Sequence, residues 1–143
     1  MTRLHAAAAA FILGLLTAAA PASAVAVAVA VAPPPVIGTW INPHHSVAVQ
    51  TRMCGTALCG RVVWASAKAL RDAADAGIGT LIGTELLRDY APSVSGRWQG
   101  HVYVPDMGRI FLSTLVPQDR TALRISGCIL GGLICKSQVW HRV

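Results

Sequence analysis

Four cysteines stand in two close pairs, Cys54 with Cys59 and Cys128 with Cys135. Such short spans limit what can fold between them. A disulfide holds its two Cα atoms about 4.4–6.8 Å apart, a separation that the facing arms of a β-hairpin provide. Each pair lies between segments rich in Val, Ile, Thr and aromatic residues, so local pairing is expected. Cys54 closing one strand and Cys59 opening the next would then face each other at a hairpin mouth, and Cys128 and Cys135 would do the same. Bridges over loops this short restrict the unfolded chain by about 2 to 2.5 kcal/mol each, and their larger effect is to fix hairpin register. A thiol redox centre or a zinc site would call for C-x-x-C spacing or nearby histidines, and neither is present.

Oxidised cysteines imply export, and the N-terminus supplies a route. Residues 1–24 read as a signal peptide: Arg3, an apolar run from Ala6 to Ala20, helix-breaking Pro21, and Ala22-Ser23-Ala24 as the cleavage site. The expected location is the periplasm. The uncharged Val-Ala repeat from Val25 to Ala32 makes an uncleaved anchor the rival reading, weakened by Pro21 and by the strand propensity of that repeat. Residues 25–35 form a Val/Ala/Pro-rich tail ending in Pro33-Pro34-Pro35, and 36–143 form one small domain. A domain of that size buries a modest core, which two staples supplement. Removing Arg3 from the 12 basic residues leaves 11 against 6 acidic, a net charge of +5. Such an excess suits anionic lipid or polysaccharide, so peripheral membrane contact is one expectation. The basic residues are scattered singly, against a nucleic-acid partner.

Beyond Pro35 the chain divides into eight short strand-like segments at 36–41, 46–53, 59–66, 81–89, 97–104, 109–116, 121–128 and 134–142, separated by Gly, Pro, Asn and Asp. Alternation is clearest where Trp98, Gly100, Val102 and Val104 oppose Arg97, Gln99, His101 and Tyr103. The same period sets Ile110, Leu112 and Thr114 against Arg109, Phe111 and Ser113, and Val62 and Trp64 against Arg61 and Val63, without deciding which set faces inward. Ala67 to Ala76 departs from this pattern. It is alanine-rich, carries Lys68/Asp72 and Arg71/Asp75 at i,i+4, and stops at Gly77, so one short helix is expected between the third and fourth strands. Both pairs run cation first, the weaker orientation against the helix dipole.

Gly38-Thr39-Trp40 resembles the G-x-W signature of the lipocalin and fatty-acid-binding superfamily. That resemblance implies an all-β, eight-stranded antiparallel up-and-down barrel in which Trp40 plugs one end under an arginine from a late strand, a role for which Arg142 in Trp140-His141-Arg142 is the candidate. A fuller resemblance is to the bacterial exported family numbered 2147 among the domains of unknown function. It is carried by Gly38-Thr39-Trp40, Leu58-Cys59-Gly60-Arg61-Val62-Val63-Trp64, Trp98-Gln99-Gly100, Tyr103-Val104-Pro105-Asp106-Met107-Gly108-Arg109, Gly127-Cys128 and Cys135-Lys136-Ser137-Gln138-Val139-Trp140. It implies a lipocalin-like barrel in the cell envelope and brings no activity with it. The segment from Lys68 to Gly77 departs from the family pattern.

Chemistry-bearing residues are sparse. His44-His45 follow Asn42-Pro43 in a turn, and adjacent histidines on extended backbone diverge, so no metal or other cofactor is expected. Asp72, Asp75, Glu85, Asp89, Asp106 and Asp119 show no dyad spacing, and Ser113 and Ser137 lack a nucleophile elbow, so no catalysis is expected. What remains is binding. Trp40, Trp64, Trp98 and Trp140, with Tyr103, Gln138 and Arg97 as polar anchors, are candidates to line a pocket for a small apolar or amphipathic ligand such as a fatty acid or envelope lipid. Eight strands make a barrel wide enough to be packed solid or to hold one small ligand. The alternative expectation is a filled barrel that docks on an envelope protein or membrane, with the apolar loop from Ile129 to Ile134 as its contact.

Overall fold

The computed structural model describes residues 34–143; the leader expected at 1–24 and nearly all of the 25–35 tail lie outside the described residues. Eight antiparallel strands close into one up-and-down barrel. They are β1 (Gly38–Ile41), β2 (Val47–Cys54), β3 (Ala57–Ala65), β4 (Glu85–Pro92), β5 (Trp98–Val104), β6 (Arg109–Pro117), β7 (Ala122–Ile129) and β8 (Ile134–Arg142), with one helix, α1 (Ala67–Asp75), between β3 and β4. Consecutive strands pair throughout, and β1 returns to β8 through Trp40 opposite Arg142 and Ile41 opposite His141. The eight strands and one helix read from the residues, and the barrel implied by the resemblance, are thus the fold observed.

Up-and-down connectivity gives the barrel two ends. At one end lie the start of β1 and the β2–β3, β4–β5 and β6–β7 turns; at the other lie the β1–β2 turn, α1, and the β5–β6 and β7–β8 turns. The two cysteine pairs therefore sit at opposite ends, which rules out cross-linking between them. Both pairs are at bonding distance, with Cα separations of 5.9 Å for Cys54 and Cys59 and 4.1 Å for Cys128 and Cys135. Cys128 and Cys135 are direct cross-strand partners, as expected. Cys54 and Cys59 are not: Cys54 faces Ala57 and Cys59 faces Arg52, because the chain reverses within Gly55-Thr56 and leaves the cysteines diagonal to one another.

α1 forms where its composition indicated. Ser66 caps its start by accepting the Ala69 amide at 3.2 Å, and the Gly77 and Ile78 amides close its end on the Ala74 and Ala73 carbonyls, both at 2.9 Å. This double C-terminal bond needs a left-handed residue, which Gly77 supplies at φ 77°. Lys68 pairs with Asp72 at 2.6 Å, and Ala73 is buried. The helix faces the core through alanines, held by packing.

Strand ends fall within two residues of the expected ones except in the fourth strand. The fourth strand runs 85–92 and not 81–89, because Thr84 turns back on Leu81 and Thr80 through its amide and hydroxyl, at 3.1 and 2.7 Å. Leu81 is buried all the same, reaching the core from the loop. The strand survives past Asp89 by bulging between Arg88 and Ala91, with Asp89 at φ 54°. A second bulge, where Ala48 and Val49 face Trp64 and Val62, interrupts the period of β3. Val62 points into the core, Trp64 is turned out to 47 % exposure, and Ala65 takes the inward place.

Candidate functional site

The barrel is solid at one end and hollow at the other. The solid end is built around Trp40, whose indole N–H donates to Thr51 Oγ1 at 3.1 Å and Val36 O at 3.2 Å, while the Thr51 hydroxyl donates to Val36 O at 2.5 Å. Arg142 lies over the Trp40 ring at 4.3 Å, and its guanidinium donates to the carbonyls of Ile37, Pro35 and Arg120 at 2.9, 2.9 and 2.6 Å. These bonds tie the last strand to the segment leading into the first. Gly38 is required here because a Cβ would overlap the Arg142 guanidinium. The expected plug and its arginine cover are therefore both present.

Above this plug, Leu58, Val49, Val62, Tyr90, Leu115 and Leu123 are at most 2 % exposed and fill the lumen. Two glycines set how tightly. A Cβ on Gly60 would lie 2.8 Å from Leu87 Cδ1 and 2.9 Å from Val49 Cγ1, and one on Gly100 would lie 2.6 Å from both Tyr90 Cγ and the Arg88 carbonyl. Neither site has room for a methyl group. Tyr90 is buried here with its hydroxyl unpartnered. Burial pushes its phenol well above the usual range, and Ser113, the neighbour that pulls it the other way, donates its own hydroxyl to Ser126 O at 2.8 Å.

Toward the other end the lumen opens into a cavity of about 680 Å³, within the size range of small-molecule sites. Its walls are Leu86, Val102, Phe111, Ile125 and Gly127, with Ala69 and Ala73 of α1 and Leu81 beside the mouth. Gly127 matters by contrast with the other two glycines: a Cβ there would meet Val102 Cγ1 at 3.5 Å and the Leu112 carbonyl at 3.9 Å, both ordinary contacts. Lys136, Gln138 and Trp140 line the cavity from β8, and Asn42, Ser46 and Asp106 edge it. Asn42 is committed, donating to Ser46 Oγ at 2.8 Å and accepting the Ser46 and Val47 amides. Gln138 accepts from the Trp140 indole at 3.0 Å, and Lys136 has no ion-pair partner among the described residues.

One wall is incomplete. β1 ends at Ile41 and pairs only with the last residues of β8, so Ile134 to Val139 have no strand on that side. Arg142 N–H points to Thr121 on the β7 side and Val143 N–H to Thr39 on the β1 side. Alternation along the strand then aims the backbone groups of Cys135, Ser137 and Val139 at the gap. Ile134 to Gln138 are accordingly exposed on both faces, and the cavity opens sideways as well as at the mouth.

Of the expected site residues, Gln138 and Trp140 line the cavity together. Trp40 is sealed in the plug, and Trp98, paired across from Leu115 and Pro92, packs on the solid end. Trp64 faces out by virtue of the bulge. Tyr103 sits under the Arg88 guanidinium at 4.8 Å and, with Arg97, is not among the cavity residues. Phe111, Ile125, Gly127 and Lys136 were not singled out from the sequence. Lys136 and Gln138 share a face with Trp140 at two-residue spacing, which was the available signal. His44 and His45 lie in the β1–β2 turn, and no three metal-ligating side chains converge among the described residues.

A closed barrel with a plugged floor, an apolar chamber and a polar β8 flank defines a calycin-like architecture with a cavity open to solvent. The chain belongs to a family described as uncharacterized protein conserved in bacteria, domain of unknown function 2147, whose model matches residues 38–142. No curated protein and no solved structure matches it.

Proposed function

We propose that this protein is an exported, periplasmic binding protein, not a catalyst, and that it holds one small apolar or amphipathic molecule such as a fatty acid in the hollow end of its barrel. The observation that carries this reading is the contrast within one lumen. The floor is packed so closely that two glycines admit no methyl group, whereas the upper half is left as an apolar chamber of about 680 Å³. An amphipathic ligand would lay its chain against Phe111, Ile125 and Val102, with its polar end at Lys136 and Gln138 on the open flank. Apolar walls with a few polar groups are the general character of small-ligand pockets.

Displacement of a fluorescent fatty acid, cis-parinaric acid, tests the proposal. Wild-type protein should take up the probe at one site and release it to unlabelled fatty acids. Gly127→Leu fills the chamber from a position with ordinary space around it, and should weaken uptake at least about tenfold while leaving the plugged floor intact. Absence of uptake by the folded wild type, or equal uptake by Gly127→Leu, would refute the proposed site.

A further inference from the structure

Half of the exposed large hydrophobic residues sit on two neighbouring hairpins. Of fourteen among the described residues, seven fall between Met107 and Ile134. Leu130 and Leu133 form the β7–β8 turn at 67 % and 85 % exposure, Met107 tops the β5–β6 turn at 56 %, and Ile110 and Leu112 line the outer face of β6 at 51 % and 65 %. Register makes them one surface. Leu112 is opposite Cys128, the last paired position, so Ile110 and the turn that carries Leu130 both lie beyond it toward the mouth. An apolar surface of this kind on a monomeric protein marks something it touches.

Charge indicates what that is. Arg109 and Lys136 lie beside the patch, both exposed and in no ion pair among the described residues; of the acids lining the mouth, Asp72 is paired with Lys68, which leaves Asp106. Residues 34–143 as a whole carry the same 11 basic and 6 acidic side chains, a net +5. Aliphatic side chains at the tip with cations around them match the layering of an anionic bilayer, where chains enter the interface and long basic side chains reach the headgroups. The patch also borders the cavity, since Ile129 and Ile134 at its base line the chamber. We propose that the β5–β6 and β7–β8 hairpins dock the open end of the barrel on an anionic phospholipid surface, where the chamber would exchange its ligand with the membrane. This rests on the ligand-binding reading for the purpose of docking, and on the patch alone for docking itself.

Vesicle flotation separates the two. Mature protein purified from its own cells is mixed with vesicles of phosphatidylcholine alone or with phosphatidylglycerol, and the floating fraction is measured alongside cis-parinaric acid uptake in vesicle-free solution. Wild type should float with the phosphatidylglycerol mixture, less so as salt rises. The double variant Leu130→Ser/Leu133→Ser should lose this partition by about tenfold or more with solution uptake of the probe unchanged, and Arg109→Gln should narrow the preference for phosphatidylglycerol. Met53→Ser/Val94→Ser, at the plugged end, should float as wild type does. Uptake without flotation overturns docking and leaves the patch to a protein partner; flotation without uptake upholds docking and overturns the ligand. Equal flotation by wild type and the leucine variant also overturns it.

Discussion

At the scale of single residues, the barrel depends on a few side chains whose environments allow no easy substitute. Arg142 is the clearest, since one guanidinium stacks on Trp40 and donates to three carbonyls. Lysine cannot reproduce a planar fork on a stacked ring. Arg142→Lys should therefore cost about 2 kcal/mol of unfolding free energy in urea titration, and Trp40→Ala about 3 to 5 kcal/mol by opening the plug. Tyr90 predicts the opposite sign. Its buried hydroxyl has no hydrogen-bond partner among the described residues, so Tyr90→Phe should stabilise the fold by about 1 kcal/mol at neutral pH. The pH dependence follows from the raised phenol: the folded state holds its proton more tightly than the unfolded chain does. This contribution is complete below the ordinary tyrosine value of about 10 and is lost as pH climbs above it. Thermal melting from neutral to strongly alkaline pH should show a steeper alkaline decline for wild type than for Tyr90→Phe.

Among elements, the hairpins show what the chain disclosed and what it withheld. The Trp98 strand was legible because its alternation is unbroken, and α1 because alanines, the Lys68/Asp72 spacing and Gly77 agree. Trp64 was not legible: a bulge opposite Ala48 and Val49 depends on how two strands pair, and no local pattern records it. Phe111 was undecided for a related reason, because both faces of β6 are apolar, one toward the chamber and one toward the outer patch. Of the six residues the sequence offered as ligand contacts, Gln138 and Trp140 of β8 line the cavity, where alternation alone places them, and the other four lie elsewhere. The two staples should also differ in effect. The Cys128–Cys135 bridge holds the half of β8 that has no β1 partner, while the Cys54–Cys59 bridge sits by the plugged floor. Replacing either pair by alanine should cost about 2 kcal/mol in melting experiments, and only loss of Cys128–Cys135 should also weaken cis-parinaric acid uptake, since Lys136, Gln138 and Trp140 lose their register.

For the whole molecule, the central feature is the division of one lumen into a packed floor and an empty upper half. The strand count left that division open, because eight strands permit a full barrel or a hollow one. What decides it is where small residues meet large ones: Gly60 and Gly100 abut Leu87 and Tyr90 of the strand beside them, whereas Gly127 faces Val102 two strands away with space to spare. These contacts depend on strand register and on the bulge in β4, which no local sequence pattern records. Methyl NMR during titration with a medium-chain fatty acid tests the division directly. The account predicts saturable shifts at Leu86, Val102, Ile125 and Ile129 around the chamber, with Leu58, Val49, Leu115 and Leu123 in the floor unmoved. Shifts centred on the floor residues, or no saturable shift in the chamber, would contradict it.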